Sequence, residues 1–266
     1  MYKKIISVLN QKGGVGKTTT VINLAAGLSM KEKKVLVIDL DPQGNATTGL
    51  GLSNIDQTSN SIYQVLIGTK KIDEAISKTN FSNLDIITSN VDLSGLEVET
   101  ADDGRRAYIL KEKLTAYFNN SRASYDYVLI DCPPSLSLLT VMALVASHSL
   151  LVPLQTEFFA LEGITQLIKT IDRIKVGLNP ELTIRGILLT MYDKRNKLSG
   201  EVEIEARNYF KEKVYKNVVP RNVRLSEAPS HGMPVIFYDK TCSGSKSYIN
   251  FTEEFLAQEE SFETAA

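Results

Sequence analysis

The run Asn10-Gln-Lys-Gly-Gly-Val-Gly-Lys-Thr-Thr-Thr20 follows directly on a β-branched stretch, Ile5 to Leu9, and leads directly into a segment of helical period, Thr18 to Met30. Few folds admit a strand that breaks on three glycines and re-enters as a helix. Gly13, Gly14 and Gly16 let backbone N–H groups turn inward around an oxyanion, and the helix N-terminus adds its positive dipole end. Lys12, Gly13, Gly14, Val15, Gly16, Lys17, Thr18 and Thr19 would then form a phosphate loop. In it Lys17 reaches the terminal phosphates and the Thr18 hydroxyl ligates magnesium. A glycine turn that merely connects strand to helix is the competing reading; Gly-Lys-Thr at the hinge argues against it.

Further along, short β-branched runs alternate with longer segments of helical period. The strand candidates are Ile5 to Leu9, Val35 to Ile38, Leu84 to Ile87, Tyr127 to Ile130, Leu150 to Leu154, Ile184 to Leu189 and Val214 to Val219. Several are apolar throughout, as parallel strands covered on both faces should be. The helix candidates are Thr18 to Met30, Arg105 to Phe118, Leu138 to Ser147, Leu161 to Val176 and Glu201 to Lys213, the last with Val202, Ala206, Tyr209 and Phe210 on one expected buried face. The expected fold is α/β: a mostly parallel twisted sheet of about seven strands with helices on both faces, of the P-loop NTPase type, in a single domain. Residues 1–246 are expected to make the phosphate-loop domain and residues 247–266 an acidic helix or tail, packed on it or extending from it. Gly51 to Asn60 reads as a surface loop.

Composition sets limits on the rest. Thirty Lys and Arg against 31 Asp and Glu exclude a wholly basic nucleic-acid coat. Two cysteines, Cys132 and Cys242, without a histidine cluster, argue against a disulfide framework or a zinc site. No run reaches the 18 to 20 apolar residues, roughly, that a spanning helix needs, and Met1 to Asn10 lacks the pattern of a signal peptide, so a cytoplasmic protein is expected.

Two further strands end in carboxylates. Val35 to Leu40 leads into Asp39-Leu-Asp41-Pro-Gln-Gly-Asn45, and Tyr125-Asp-Tyr-Val-Leu-Ile-Asp131 leads into Cys-Pro-Pro-Ser135. Strand C-terminal ends in such a sheet lie beside the phosphate loop. Strand-end aspartates also cap helices, and for Asp39 that structural role competes evenly with a functional one.

The string Lys12-Gly-Gly-Val-Gly-Lys-Thr-Thr19, with Gln11 where a glycine is usual, resembles the deviant Walker A motif of the ParA/MinD ATPases. The resemblance extends from Ile5 to about Asp239. The strings at 39–51, 131–140 and 220–235 are similar to the chromosomal ParA (Soj) branch. It implies an ATPase that uses ATP and Mg²⁺ and forms an ATP-sandwich homodimer, in which Lys12 reaches the partner's phosphates. It also implies that Asp131 holds magnesium through a water, and that Asp41 orients or deprotonates the attacking water and contacts the metal through water. Pro220 and Asn222 stand where relatives contact adenine.

The same resemblance implies non-specific binding of double-stranded DNA through Arg195 and Arg224, release on hydrolysis, a ParB-like partner, a role in chromosome or plasmid partitioning, and nucleoid association without a membrane. The partner's binding surface stays open; Lys3 and Lys4 are candidates. From Lys194 through Lys246, 11 Lys and Arg stand against 6 Asp and Glu, the footprint a phosphate backbone requires. Scattered solvated lysines would give the same count. Two alternatives remain: a MinD-like positioning ATPase, opposed by the acidic rather than basic C-terminus, and a nucleotide-switched protein scaffold that does not bind DNA. The absence of an additional N-terminal helix-turn-helix segment argues against sequence-specific repression. A lone buried thiol is expected at Cys132, and a structural or loop contact at His231.

Overall fold

The computed structural model describes residues 4–52, 60–120 and 125–265, with side chains to residue 259. Seven strands form one sheet: β1 (Lys4–Val8), β2 (Val35–Asp39), β3 (Ile76–Lys78), β4 (Leu84–Ile87), β5 (Tyr127–Asp131), β6 (Ser149–Gln155) and β7 (Thr183–Thr190). Their order is β3-β4-β2-β5-β1-β6-β7, and every pairing is parallel except β3 with β4. The central strands are buried on both faces, which is why their sequences are apolar without alternation.

The longer helices are α1 (Lys17–Met30), α2 (Ile109–Asn120), α3 (Leu138–Ala146), α4 (Ala160–Gly177), α5 (Lys197–Phe210) and α6 (Ser243–Ala265). Side chains alternate along each strand, so Ile5, Leu36 and Ile38 meet α2, α3, α4 and α5, while Ile6, Val35 and Val37 meet α1 and α6. The sheet therefore separates two apolar cores.

Two expectations are corrected. Val214 to Val219 is not a strand: it touches the sheet at two isolated bridges, Ile187 with Val214 and Tyr192 with Pro220. The Tyr215 and Val219 N–H groups donate to the Ile187 and Leu189 carbonyls of β7 (3.0 and 2.8 Å), but between them Glu254 on α6 accepts from the N–H of Lys216 (2.6 Å) and of Asn217 (2.9 Å), which interrupts the pairing. The seventh strand is instead the short antiparallel edge β3, too short to carry a pattern. Tyr209 is not on the buried face of α5: it is 66% exposed while Val202, Ala206 and Phe210 are buried. Of the surface loop expected at Gly51 to Asn60, residues 53–59 lie outside the described residues.

The acidic C-terminal segment has identifiable partners. Tyr248, Phe251 and Phe255 of α6 are fully buried against the α1 side of the sheet. Glu259, itself buried, ion-pairs with Arg185 of β7 and Lys4 of β1. Glu253 pairs with Lys31 at 2.7 Å. Cys132 is buried, its thiol pushed up by desolvation, and His231 stacks on Tyr238 at 4.9 Å between centroids; the plain roles expected for both hold. Lys3, one of the two residues suggested as touching a partner, lies outside the described residues.

Candidate functional site

The site begins with the way the sheet order places three strand ends. β1 lies between β5 and β6, with Val8 in register with Asp131, and Asp39 of β2 is also in register with Asp131. The phosphate loop leaving β1 therefore arches over a pair of carboxylates. Two features give the arch its shape. Gly14 and Gly16 have φ of 72° and 86°, which L side chains rarely adopt. Asn10, nearly fully buried, donates from Nδ2 to the Pro153 carbonyl (2.8 Å) and accepts from the Lys12 N–H (3.0 Å), tying the loop to β6. Thr190 at the end of β7 adds a brace, donating to the Val15 carbonyl at 2.9 Å.

The N-terminus of α1 carries no side-chain cap and no acidic residue in its first turn. Its N–H groups and positive dipole end are thus left for an anion. Lys17 is buried, and its ammonium donates to the Lys12 carbonyl at 3.1 Å. Burial lowers the Lys17 pKa, against the opposing pull of Asp131, Cys132 and Asp41. Lys12 is different: half exposed, it points away from the arch and ion-pairs with Glu157.

Beneath the arch, the two carboxylates are not equivalent. Asp39 is satisfied, accepting from the Thr47 N–H (2.8 Å) and hydroxyl (2.7 Å), with a weaker bond from the Asp41 N–H (3.3 Å). It ties down the start of the turn after β2, and burial pushes its carboxyl up to about 6. Asp131 is fully buried, and among the described residues neither of its carboxylate oxygens has a hydrogen-bond donor of good geometry. The Thr18 hydroxyl is near enough to favour its ionised form, but burial and the Asp39 charge dominate and raise its pKa well above the usual carboxylate range. A buried, orphaned carboxylate beside a threonine hydroxyl is a donor set whose chemistry suits a hard cation. Asp41 accepts from the Gln43 N–H at 3.0 Å and lies at the rim, toward the open cavity.

Two adjoining cavities meet here. One, about 530 Å³, is lined by Gly13, Gly14, Lys17, Thr18, Asp41 and Pro134 among others. The second, about 370 Å³, is lined by Val219, Pro220, Asn222, Leu225 and Tyr248 among others. Gly16, Thr19, Met191 and Pro229 border both. Pro220 and Asn222 are thus next to the phosphate loop although far from it in the chain, and Asn222 also caps the short helix Val223–Glu227 through the Arg224 N–H at 2.8 Å.

Arg195 and Arg224 are outside the cavities, on neighbouring segments. The Tyr192 N–H donates to the Val219 carbonyl (3.0 Å) and the Arg221 N–H to the Tyr192 carbonyl (3.1 Å), which joins the loop after β7 to the stretch holding Arg224. Each arginine already has an acidic neighbour. Arg195 makes a two-pronged contact with Asp193 (3.1 and 3.0 Å), and Arg224 pairs with Glu227 (2.7 Å). Both are solvent-exposed pairs.

Sequence reasoning missed Asn10, Asn23, Thr190 and Glu157. Asn23 had a visible signal, being polar within an apolar helical run; it donates to the Thr19 carbonyl (2.8 Å) and accepts from the Val235 N–H (2.8 Å).

A family model described as an AAA domain matches residues 3–184. The chromosome partitioning protein ParA of Caulobacter vibrioides is 50% identical, over 96% of this chain and 95% of that one. This chain belongs to the ParA/Soj family of partitioning ATPases. The sporulation initiation inhibitor protein Soj of Bacillus subtilis is 48% identical (96% and 98% covered), and the chromosome-partitioning ATPase Soj of Treponema pallidum 45% identical (96% and 98% covered). Solved structures share the ParA/Soj fold over the whole chain. A Mycobacterium smegmatis protein described as cobyrinic acid a,c-diamide synthase, with bound ADP and magnesium, superimposes with a TM-score of 0.84 at 32% identity, covering 98% of this chain and 96% of that one. The septum site-determining protein MinD of Pyrococcus horikoshii, with Mg-ADP, gives 0.77 at 26% identity, covering 95% and 96%. Among the described residues no helix is long and apolar enough to cross a membrane.

Proposed function

We propose that this ATPase is a cytoplasmic, nucleoid-associated partition switch: it binds ATP and Mg²⁺, dimerises around the nucleotide, binds DNA without sequence preference, and releases it after hydrolysis. The observation that carries the reading is the division of labour between two lysines of one loop. Lys17 is turned inward beneath the arch, while Lys12 projects outward, half exposed, where a second copy could be reached.

Residues Gly13 to Thr19 would hold the phosphates through the α1 N-terminus, with Lys17 on the terminal ones. Thr18, with Asp131 through water, would hold magnesium, which draws charge from the phosphate oxygens when bound. Asp41 would orient the attacking water and accept its proton; Pro220 and Asn222 would border the base. Lys12 would cross to the phosphates of the second copy, so closing the dimer and completing the site are one event.

DNA binding is assigned to Arg195 and Arg224. Their present carboxylate partners are exposed and weakly held, and phosphates can replace them. A ParB-like protein is the partner expected of a member of the ParA/Soj family. Sedimentation of the purified protein with ATP or ADP, with and without unrelated duplex DNA, tests the whole reading. ATP-specific dimers that carry DNA are expected. Dimers that form with ATP yet leave the DNA behind would favour a nucleotide-switched scaffold instead.

A further inference from the structure

Met191 has a backbone conformation that its residue type does not favour. Its φ is +51°, and the other non-glycine residues with positive φ among the described ones are Glu32, Asn83 and Lys211. Glu32 and Lys211 sit just past helix ends and Asn83 in the turn before β4, where such angles are routine. Met191 instead follows a buried strand and borders both site cavities.

The angle is imposed from both sides. Before it, Thr190 donates to the Val15 carbonyl at 2.9 Å and its own carbonyl accepts from the Thr156 N–H at 3.2 Å. After it, Tyr192 is locked to Val219 and Arg221 by the bonds described above. The chain must pass from the phosphate-loop brace to the base-side wall in one residue, and a left-handed turn does so. Strain of this kind persists only where its surroundings over-determine it, and it gathers at ligand sites. A glycine would relieve it, yet a methionine stands there.

We infer that Met191 is a nucleotide-binding residue, whose thioether packs on the nucleoside where the phosphate cavity opens into the base cavity. The inference rests on the nucleotide-site assignment above. The chemistry fits: Val219, Pro220 and Leu225 supply an apolar stretch in a wall that is otherwise mixed, and a polarizable sulfur beside it is well suited to the face or edge of an aromatic base. Met191 would hold the nucleoside, and the glycine arch the phosphates.

The test compares Met191→Gly and Met191→Ala in the full-length protein. Both remove the thioether, but only alanine keeps the Cβ that the left-handed angle strains, so the glycine variant should melt higher than the alanine variant. By calorimetry in magnesium buffer both should bind ATP roughly three- to tenfold more weakly than wild type. Affinity for tripolyphosphate, which has no nucleoside, should be unchanged. Lys17→Ala serves as control and should lose both ligands. Wild-type ATP affinity in both Met191 variants, or an equal loss of tripolyphosphate binding, would overturn the role of Met191. Undiminished ATP binding by Lys17→Ala would instead overturn the nucleotide site itself.

Discussion

Lys17 donates from its ammonium to the main-chain carbonyl of Lys12 at 3.1 Å, so the cation beneath the glycine arch is anchored to the backbone of the one outside it. The bond occupies one of the three Lys17 donors, and in the proposed complex phosphate oxygens would replace the carbonyl. In that complex, withdrawal of Lys17 toward the nucleotide would free the loop at the point where the Lys12 side chain departs.

Lys12 should matter for the dimer more than for the monomer. Lys12→Gln is expected to bind ATP close to normally and to lose ATP-dependent dimerisation and turnover. Glu157 holds the Lys12 side chain within its own chain, so Glu157→Gln should act oppositely and lower the ATP concentration needed for dimers. Size-exclusion chromatography over an ATP series distinguishes them. Normal dimers from Lys12→Gln would rule out the sandwich.

Asp41→Ala separates binding from hydrolysis. In its proposed role the carboxylate acts on water rather than on ground-state phosphates, so ATP binding and dimerisation should survive while turnover falls roughly 10²- to 10⁴-fold. The variant should accumulate on DNA as an ATP dimer. A monomer in the presence of ATP would show that Asp41 serves the interface or the fold instead.

Charge reversal at Arg195 or Arg224 should abolish DNA binding and leave ATP-dependent dimerisation intact. Removing a cation that neutralises one phosphate should reduce the salt slope by about one unit, uniformly across sequences. Because Asp193 and Glu227 compete for these guanidinium groups, Asp193→Asn and Glu227→Gln should tighten binding. Titrations of unrelated duplexes at several salt concentrations measure this; undiminished binding by the two charge-reversed variants would move the DNA site elsewhere.

Asp39 predicts an unusual pH dependence. Burial pushes its carboxyl up to about 6, above its unfolded value, so its contribution to stability is present at low pH and is lost as pH rises through about 6. The size is on the order of 2 to 3 kcal/mol. His148, whose pKa burial lowers, acts in the opposite sense below about 6.5. The informative quantity is therefore the difference in melting temperature between wild type and Asp39→Asn, which should shift in favour of the variant between pH 4.5 and 7, roughly the range over which a raised carboxyl ionises. A difference that stays constant over that range would contradict the ionisation of a buried Asp39.

The phosphate loop, the α/β class and the carboxylate-ended strands were legible in the chain because each is written in contiguous residues. Gly13 to Thr18 need only a strand before them and a helix after. The β1, β2 and β5 runs are apolar because both their faces are covered, whatever covers them. What the tertiary structure decided depends on residues far apart in sequence. Val214 to Val219 reads as a strand, but Glu254 takes the amides of Lys216 and Asn217 and breaks its pairing with β7 into isolated contacts. The acidic C-terminal segment reads as a helix or tail that either packs on the domain or extends from it; the structure packs it, because Glu259 finds Arg185 and Lys4, and the rings of Tyr248, Phe251 and Phe255 fill the space over α1. Asp39 and Asp131 look alike in sequence, and only Thr47 distinguishes the satisfied carboxylate from the orphaned one. Periodicity records whether a residue is buried; its partner is set by how strands distant in the chain are ordered in the sheet. Met191 shows the same limit, since its strained angle exists only because Val15 and Val219 fix the chain on either side of it.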